Sequence, residues 1–225
     1  MRFVTTFSPE GFEEYGRTFL DTFGEHVDAP IDVYLEQSGP KVRDGVRYRR
    51  LDKVPGFNEF RSLCNFPAAH GRIWGKDRNY RFDVYKFCCK SFAQIDAAAE
   101  GGDWLYWIDA DIEFNGPFRP PIRDAFLLYL DRPEWHSCAS FVGFNLEHEI
   151  SAQFFQSYWQ LYVTGTVFAL PEWHDSYLLD WLRGQMKLPA INLAAGIEGL
   201  DGPANVFDAV FPMAHHKKGN LKRAS

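Results

Sequence analysis

Hydrophobic and polar residues change their spacing along the chain, and each spacing predicts a strand or a helix. Residues 3–7 are rich in aromatic and β-branched side chains, which favours a strand. Ser8 and Pro9 then supply the cap and the first residue of a helix, and apolar residues recur at helical spacing up to Gly24. Residues 31–35 form the next strand-like run. The chain therefore opens with a predicted β-α-β unit.

The middle of the chain predicts a long helix followed by a fully buried strand. From Arg81 onward, apolar side chains line one helical face until Gly101 ends the pattern. Residues 104–108 form a continuous apolar run, which is typical of a strand covered on both faces of a parallel sheet. This alternation predicts an α/β fold with a mostly parallel central sheet.

The other predicted elements are shorter or less regular. They are a strand over 46–51, a short helix over 58–64, a strand over 138–144, helices over 149–162 and 175–182, and an extended segment over 206–213. Neither an internal repeat nor a long linker divides the sequence, so we expect one domain over 1–225.

The composition is that of a folded globular protein. Of 225 residues, 46% are hydrophobic, which excludes disorder, and the formal net charge of −6 argues against broad non-specific binding to nucleic acid. The four cysteines form no CxxC pair, so we expect reduced thiols. No apolar run approaches the roughly 20 residues of a membrane span, and no signal-peptide pattern is seen. We therefore expect a cytoplasmic protein without membrane insertion.

Two aspartates follow the buried strand directly. Asp109 and Asp111 stand in the turn that leaves residues 104–108, and ligands of open parallel sheets bind beyond the carboxyl ends of strands. Two carboxylates this close repel each other unless a cation or water separates them. A divalent metal, Mg²⁺ or Mn²⁺, satisfies that arrangement, and Mn²⁺ also accepts an imidazole. The alternative is a pair of turn aspartates before the Asn-Gly-Pro sequence at 115–117.

A second group of chemically active residues stands near the carboxyl terminus. His216, Gly219 and Lys222 have the spacing H-x-x-G-x-x-K. A neutral imidazole can complete a metal site, glycine lets the backbone approach a diphosphate, and lysine can neutralise phosphate oxygens. His215 could exchange roles with His216, although the spacing to Gly219 favours His216. The alternative is a solvated basic tail.

Three separated motifs resemble those of a known family. Residues 80–82 read Tyr-Arg-Phe, residues 105–118 read Leu-Tyr-Trp-Ile-Asp-Ala-Asp-Ile-Glu-Phe-Asn-Gly-Pro-Phe, and the H-x-x-G-x-x-K motif follows. In this order and rough spacing they resemble the GT-A glycosyltransferases, most closely the retaining glycosyltransferase family 8. The resemblance covers much of residues 1–222. It implies a single GT-A domain of the Rossmann-like nucleotide-diphospho-sugar transferase type.

The resemblance also implies an activity, which is metal-dependent transfer of a hexose-type sugar from a UDP-like donor to a hydroxyl. Asp109, Asp111 and His216 would hold Mn²⁺ or Mg²⁺ at the donor's diphosphate. Lys222 and the backbone at Gly219 would contact the phosphates. A metal and a lysine together are the expected way to stabilise negative charge on a departing diphosphate.

The remaining donor contacts follow from the same resemblance. Arg81 would face the donor sugar or the diphosphate. The nucleoside would meet the end of the first strand, at Thr5, Thr6 and Ser8. Residues 1–118 would then bind the nucleotide sugar, and residues 119–225 would form the acceptor half with the metal- and phosphate-binding tail.

The acceptor side departs from the family pattern. Where the family usually has Asp-Gln-Asp, this chain has His174-Asp175-Ser176 and lacks the glutamine. Asp175 is therefore a candidate for orienting the acceptor or the sugar, and the alternative role is that of a helix N-cap. As a general base, Asp175 would suit inversion of the anomeric centre, so both stereochemical outcomes stay open.

Several alternatives remain at the level of sequence. The acceptor hydroxyl could belong to a glycan, a small molecule, a protein or a hydroxymethylated base of viral DNA. A haloacid-dehalogenase-like phosphohydrolase also places a DxD after a buried strand, and a non-catalytic nucleotide-sugar-binding module is a third class. Lys86 and Lys90 are either phosphate contacts or solvated lysines. Candidate stacking surfaces for a sugar or base are Trp159, Tyr162, Trp173 and Trp181.

Overall fold

The structure, a computed structural model, describes residues 1–36, 43–72, 78–132, 134–198 and 206–217. Its strands are β1 (Arg2–Phe7), β2 (Ile31–Leu35), β3 (Val46–Arg50), β4 (Trp104–Ile108), β5 (Ile112–Phe114), β6 (Leu127–Tyr129), β7 (Phe141–Asn145), β8 (Ala190–Asn192) and β9 (Ala214–His216). Its α-helices are α1 (Pro9–Gly11), α2 (Arg17–His26), α3 (Phe57–Leu63), α4 (Val84–Ala99), α5 (Ser151–Val163), α6 (Asp175–Met186) and α7 (Val206–Val210). A π-helical turn joins α1 to α2 at Phe12–Gly16, and short 3₁₀ turns lie at Leu51–Lys53, Pro67–His70, Tyr80–Phe82 and Thr166–Ala169.

Seven strands form the central sheet in the order β3-β2-β1-β4-β7-β6-β8. β1 pairs in parallel with β2 and β4, β2 pairs in parallel with β3, and β6 pairs in parallel with β8. β7 runs antiparallel to both β4 and β6. Four of these six pairings are parallel, so the predicted α/β class with a mostly parallel sheet is confirmed.

The strand order reverses between β1 and β4. From β1 the chain adds β2 and β3 on one side, and it then returns to place β4 on the other side of β1. At such a reversal the connections leave in opposite directions, and a crevice opens beyond the carboxyl ends of the two strands. Thr6 lies near the carboxyl end of β1, and Asp109 directly follows β4. These two residues therefore stand on the two walls of the crevice.

Each face of the sheet carries its own hydrophobic layer, because successive side chains of a strand point to opposite faces. In β4, Leu105 and Trp107 join the core under α3, α4, α5 and α6. Tyr106 and Ile108 join a second core that contains α2, β5 and α7. Burial on both faces explains why β4 is continuously apolar in sequence.

One predicted element has the wrong type. The extended segment predicted over 206–213 is wrong, because the structure has the helix α7 there, followed by a turn into β9. Apolar side chains at Val206, Phe207, Val210 and Phe211 are spaced one helical turn apart. The rings of Phe207 and Phe211 pack in a tilted arrangement with centroids 5.1 Å apart, and Phe211 also packs on Phe141 of β7.

Two further expectations concern the cysteines and the membrane. The four cysteines are free thiols and all are buried, as expected for reduced side chains. Among the described residues, none of the helices combines the length and the apolar character that crossing a membrane would require.

Candidate active site

The two aspartates of the DxD sequence lie where β4 ends. The backbone N–H of Asp109 donates to the carbonyl of Ser140, 2.9 Å away, and Ile112 N–H donates to the carbonyl of Asp109 to close a turn. Asp111 is almost fully buried, whereas the Asp109 side chain is partly exposed. The turn therefore exposes the carboxylate of Asp109 to the crevice and buries the carboxylate of Asp111.

A small two-stranded sheet brings the carboxyl-terminal part of the chain to these aspartates. β9 pairs antiparallel with β5, so that His216 lies opposite Ile112. The N–H of Lys217 donates to the carbonyl of Asp111 at 2.9 Å and continues the contact. His216 Nε2 lies 3.0 Å from Asp111 Oδ1 and 3.9 Å from Asp109 Oδ2. One ligand atom from each of the three residues lies within 4.8 Å of the other two.

The two neighbouring histidines point to different partners, because successive residues of β9 face opposite sides. His215 Nδ1 pairs with the carboxylate of Asp208, and the His215 side chain is partly exposed. The other oxygen of Asp208 accepts a hydrogen bond from the backbone N–H of His216 at 2.9 Å. Asp208 thus fixes the strand, and His216 is the histidine that lies beside the DxD aspartates.

Lys90 of α4 joins the DxD turn to α6. Its ammonium lies 3.0 Å from Asp109 Oδ1 and 2.8 Å from Asp175 Oδ2, and it also donates to the carbonyl of Ala139. The ammonium lies 4.7 Å from the centre of the Trp107 ring. Burial alone would lower the pKa of Lys90, but the charges of Asp109 and Asp175 raise it above its ordinary value. The solvated alternative for Lys90 is therefore wrong.

The two oxygens of Asp109 have different surroundings. Oδ1 accepts from the indole Nε1 of Trp107 at 2.7 Å and from Lys90. Oδ2 is the oxygen nearer His216. Hydrogen-bond donors such as Trp107 and Lys90, which contact a metal-binding side chain from behind, fix the orientation of that side chain and tune its charge. Carboxylates with an imidazole are a donor set that suits Mn²⁺, and carboxylates suit Mg²⁺. Asp109, Asp111 and His216 therefore fit a divalent cation chemically.

Asp175 is the first residue of α6 and is buried. Its Oδ1 accepts from the N–H of Ser176 at 2.9 Å, and its Oδ2 faces Lys90. Burial would raise the pKa of Asp175, but the charge of Lys90 outweighs burial and lowers it. The N-cap alternative for Asp175 is wrong, because His174 occupies that position and accepts from the N–H of Tyr177.

Two cavities meet at the DxD aspartates. The larger is an open cleft of about 680 Å³, within the usual size of ligand sites. Its described lining residues are Tyr80, Arg81, Phe87, Asp109, Asp131, Arg132, Glu134, Trp135, His136, Cys138, Ala139, Ser140, His174, Asp175, Ser176 and His216. The smaller, of about 160 Å³, is lined by Thr6, Tyr15, Lys86, Phe87, Lys90, Trp107, Asp109, Ala110, Asp111 and Asp175. Phe87, Asp109 and Asp175 line both cavities.

Comparison with known proteins identifies the fold. No protein-family model matches the chain, and no curated protein matches it by sequence. Among solved structures 207 chains match. One is the galactosyltransferase LgtC in complex with donor and acceptor sugar analogues, which is 13% identical, with a TM-score of 0.54 and coverage of 98% of this chain and 88% of that chain. The chain has the GT-A fold. At this identity the likeness concerns the fold alone.

The end of β1 lies beside the smaller cavity of this GT-A chain. Thr5 is fully buried and is not among the residues that line these two cavities. Thr6 lines the smaller cavity and donates its hydroxyl to the carbonyl of Tyr34 at 2.8 Å. Ser8 caps α1 by accepting from the N–H of Gly11. Of the three residues predicted for the nucleoside, Thr6 is therefore the one that lines a cavity among those described here.

Tyr15 lines the smaller cavity but was not predicted from the sequence. It stands on the π-helical turn Phe12–Gly16, and such turns occur often at functional sites. Burial raises the pKa of Tyr15, and the charges of Asp111 and Asp109 raise it further. The phenol therefore stays protonated and is a hydrogen-bond donor near the aspartates.

Arg81 lies in the larger cleft, where it pairs with an acidic residue from the loop before α6. Its Nη1 lies 3.1 Å from Glu172 Oε1. The other carboxylate oxygen of Glu172 is 2.7 Å from His174 Nε2 and 3.4 Å from His136 Nε2. Burial lowers the pKa of His174, so this ring is neutral near pH 7. Its Nδ1 accepts from Tyr177, so the proton is on Nε2 and is donated to Glu172.

His136, Glu172 and His174 form a second cluster whose side chains are close enough to share a metal ion. The tautomer of His174 decides whether this cluster is a metal site or a hydrogen-bond network. A histidine that binds metal through Nε2 must be deprotonated there, and its Nδ1 must carry the proton. The N-capping role of His174 requires the opposite tautomer. We therefore assign this cluster to a hydrogen-bond network that orders one wall of the cleft.

The two remaining predicted donor contacts, Gly219 and Lys222, lie outside the described residues. Among the described residues of the site, Lys90 and Glu172 are the ones whose role the sequence indicated least clearly. The sequence left Lys90 open between a phosphate contact and a solvated side chain, and the core residues Cys89 and Phe92 beside it are the sequence feature that favours burial. For Glu172 the sequence contains no comparable mark.

Proposed function

We propose that this protein is a metal-dependent glycosyltransferase that transfers a sugar from a UDP-like nucleotide-diphosphate donor to a hydroxyl acceptor. The observation that carries the proposal is the meeting of Asp109, Asp111 and His216 at the carboxyl end of β4 in a chain with the GT-A fold. The structural match to LgtC, whose structure holds donor and acceptor sugar analogues, supports the same class of reaction.

In this proposal Asp109, Asp111 and His216 hold Mn²⁺ or Mg²⁺. When bound, the cation supplies positive charge that stabilises a departing diphosphate. Lys90 holds one oxygen of Asp109 and leaves the other toward His216, so the donor set is oriented before any ligand arrives.

The transfer itself joins the acceptor oxygen to the anomeric carbon of the donor sugar. The bond from that carbon to the diphosphate oxygen breaks with its electron pair, and the hydroxyl proton is released. Lys222 and the backbone at Gly219 are proposed to contact the departing phosphates, as the H-x-x-G-x-x-K spacing implies. Arg81 is proposed to face the donor sugar or diphosphate from the wall of the cleft, where Glu172 orients it.

Asp175 is proposed to orient the acceptor or the sugar. Lys90 lowers its pKa, and a carboxylate with a lowered pKa takes up a proton less readily than an ordinary one. It remains a good acceptor of hydrogen bonds from sugar hydroxyls. Its position in the lining of both cavities suits this orienting role better than the role of a general base.

The nucleoside is proposed to occupy the smaller cavity. Thr6 and Tyr15 line that cavity, and Asp109 and Asp111 line it as well. A donor placed there would extend from the end of β1 to the aspartates, and its sugar would then enter the larger cleft. This is the crevice between the carboxyl ends of β1 and β4, the usual ligand position of open α/β sheets.

A screen of nucleotide sugars tests the proposal without knowledge of the acceptor. With Mn²⁺ present, we expect one donor to be hydrolysed slowly to free UDP or a related diphosphate, and EDTA to abolish the reaction. Asp111→Asn should lower this rate at least about 100-fold, because even partners behind a metal ligand contribute 10- to 100-fold. His215→Asn is the matched control and should retain the rate, since His215 pairs with Asp208 away from the aspartates.

Three results would contradict the proposal. Full activity of Asp111→Asn would remove the metal site from the reaction. Tight donor binding without turnover, with or without acceptors, would instead identify a non-catalytic nucleotide-sugar-binding module. Release of phosphate from simple phosphate esters would favour the phosphohydrolase class.

A further inference from the structure

Two aromatic side chains of the cleft wall are unusually exposed. Tyr80 is 51% exposed and Trp135 is 44% exposed, and they are the only aromatic residues among the large hydrophobic side chains that the described part of the chain leaves exposed. Both line the larger cleft. Aromatic side chains that line a cleft of ligand size are candidate contact surfaces for a ligand. In contrast, Asp175 and His216, in the same cleft, are nearly buried.

Trp135 is held in place by the backbone around it. Its N–H donates to the carbonyl of Arg132 at 3.1 Å, and Arg132 Nε donates to the carbonyl of His136 at 2.7 Å. The N–H of Ser137 donates to Asp180 Oδ2 of α6 at 2.8 Å. These bonds tie down the backbone that carries Trp135, and an aromatic ring on an ordered backbone offers a large contact area at little cost in conformational entropy.

The backbone that carries Tyr80 is ordered in a similar manner. It begins the 3₁₀ turn that Asn79 caps, with Asn79 Oδ1 accepting from the N–H of Arg81 at 3.1 Å. The edge of its ring meets the ring of His174, with centroids 5.5 Å apart at 62°. The cleft therefore has two ordered aromatic surfaces on its exposed rim, whereas the DxD residues lie deeper.

The described part of the cleft wall lacks the excess of basic residues that a nucleic-acid-binding surface has. Its charged lining residues are four acids, Asp109, Asp131, Glu134 and Asp175, and two bases, Arg81 and Arg132. Lys90 compensates Asp109 and Asp175, and Glu172 pairs with Arg81. The charges that remain at the rim, those of Asp131, Arg132 and Glu134, give no net positive field to attract a phosphate backbone. A neutral molecule with many hydroxyls needs no such field.

We propose that the rim of the cleft is the acceptor subsite and that it binds a sugar ring of a neutral glycan. The C–H face of the ring packs on Trp135 and Tyr80, and its hydroxyls donate to the carboxylates of Asp131 and Glu134. A hydroxyl of that sugar then points toward Asp175 and the DxD aspartates. This inference rests on the proposed glycosyltransferase function.

Transfer kinetics with defined acceptors test the subsite. Lactose, maltose and cellobiose are supplied to the full chain with Mn²⁺ and the donor found by the hydrolysis screen, and 5-hydroxymethylcytosine DNA is the comparison substrate. We expect at least one disaccharide to be glycosylated. Trp135→Ala and Tyr80→Ala should each raise the KM for it about tenfold or more with a smaller effect on kcat, as expected for a residue central to a binding surface.

Conservative and remote variants complete the design. Trp135→Phe and Tyr80→Phe keep a ring and should retain most of the acceptor affinity. Trp159→Phe is the matched control, because Trp159 lies in a different groove, beside Pro55, and should leave KM unchanged. Circular dichroism of each variant confirms that it is folded.

Three outcomes would overturn the inference. They are unchanged KM values in both alanine variants, transfer to the hydroxymethylated DNA alone, and transfer to none of the disaccharides while donor hydrolysis proceeds. Absence of donor hydrolysis by the unaltered protein would instead refute the proposed function itself, so the two failures are distinguishable.

Discussion

The ammonium of Lys90 lies 2.8 Å from Asp175 Oδ2, and the same nitrogen is 3.0 Å from Asp109 Oδ1. One buried cation thus joins the end of β4 to the start of α6. Asp109 belongs to the proposed metal site, and Asp175 lies on the proposed acceptor side. Lys90 therefore sets the distance between the two halves of the cleft, and its charge compensates two carboxylates that would otherwise repel.

Removal of this cation is expected to destabilise the fold strongly. In Lys90→Met, Asp109 and Asp175 lose their common partner, and loss of one member of a buried ion pair costs about 3–5 kcal/mol. Lys86→Met is the matched control on the same helix, and its exposed side chain should change the free energy of unfolding by no more than about 0.5 kcal/mol. Urea denaturation at pH 7 measures both. Equal stability of the two variants would show that Lys90 does not hold the site together.

The buried histidine at the start of α6 is expected to make stability depend on pH. Burial lowers the pKa of His174 below its ordinary value of 6.5. As the pH falls below 6.5, the unfolded chain therefore binds a proton that the folded chain does not, and stability decreases. This contribution has a slope of at most about 1.4 kcal/mol per pH unit. The pKa of Asp175 is also lowered, so Asp175 adds to this loss of stability only at more acidic pH, as the pH falls through 3.8.

His174→Asn tests this pH dependence. Asparagine can also cap a helix, so the variant should fold, but it does not titrate. We expect its free energy of unfolding to decline less than that of the unaltered protein between about pH 7 and pH 5. Denaturant titrations at several pH values measure the two slopes. Parallel curves for the two proteins would mean that His174 is charged in the folded state as readily as in the unfolded chain.

Local patterns were sufficient to predict most of the core, and long-range pairing was not predictable from them. The strand 104–108 and the helix that follows Ser8 depend on apolar runs and caps, which are readable in sequence. β5 and β9 are three residues each, and their pairing joins distant segments of the chain, which no local pattern encodes. The choice of His216 over His215 depends on that pairing together with Asp208.

Aromatic residues show a second limit of sequence reading. The aromatic residues predicted as stacking surfaces are largely committed to packing: Tyr162 is fully buried, and Trp173 meets Phe66, Phe82 and Phe168 edge to face. Trp135 has no periodic neighbours that would mark it. Only the fold, which places its loop over the cleft, distinguishes its ring from those of the core.

The cation that the DxD aspartates and His216 are proposed to share should stabilise the folded protein. A ligand present at about 100 times its dissociation constant adds about 2.7 kcal/mol to the free energy of unfolding. We expect Mn²⁺ to raise the melting temperature and EDTA to reverse the rise. His216→Ala should lose this response, whereas His215→Ala, altered at the neighbouring position that faces Asp208, should keep it. A full response in His216→Ala would exclude the imidazole from the metal site.

Binding of the donor's phosphates is expected to depend on Lys222, the lysine of the H-x-x-G-x-x-K motif. A hydrogen bond to a charged group contributes about 1.5–3 kcal/mol, so Lys222→Ala should weaken UDP binding by roughly 10- to 100-fold. Lys217→Ala is a suitable comparison, because the ammonium of Lys217 is already paired with Glu113 and should affect UDP affinity little. Calorimetry with Mn²⁺ present measures both constants. If UDP binds Lys222→Ala as tightly as it binds the unaltered chain, the phosphates are held by other residues, and Arg81 becomes the first candidate because its guanidinium lines the same cleft as Asp109 and His216.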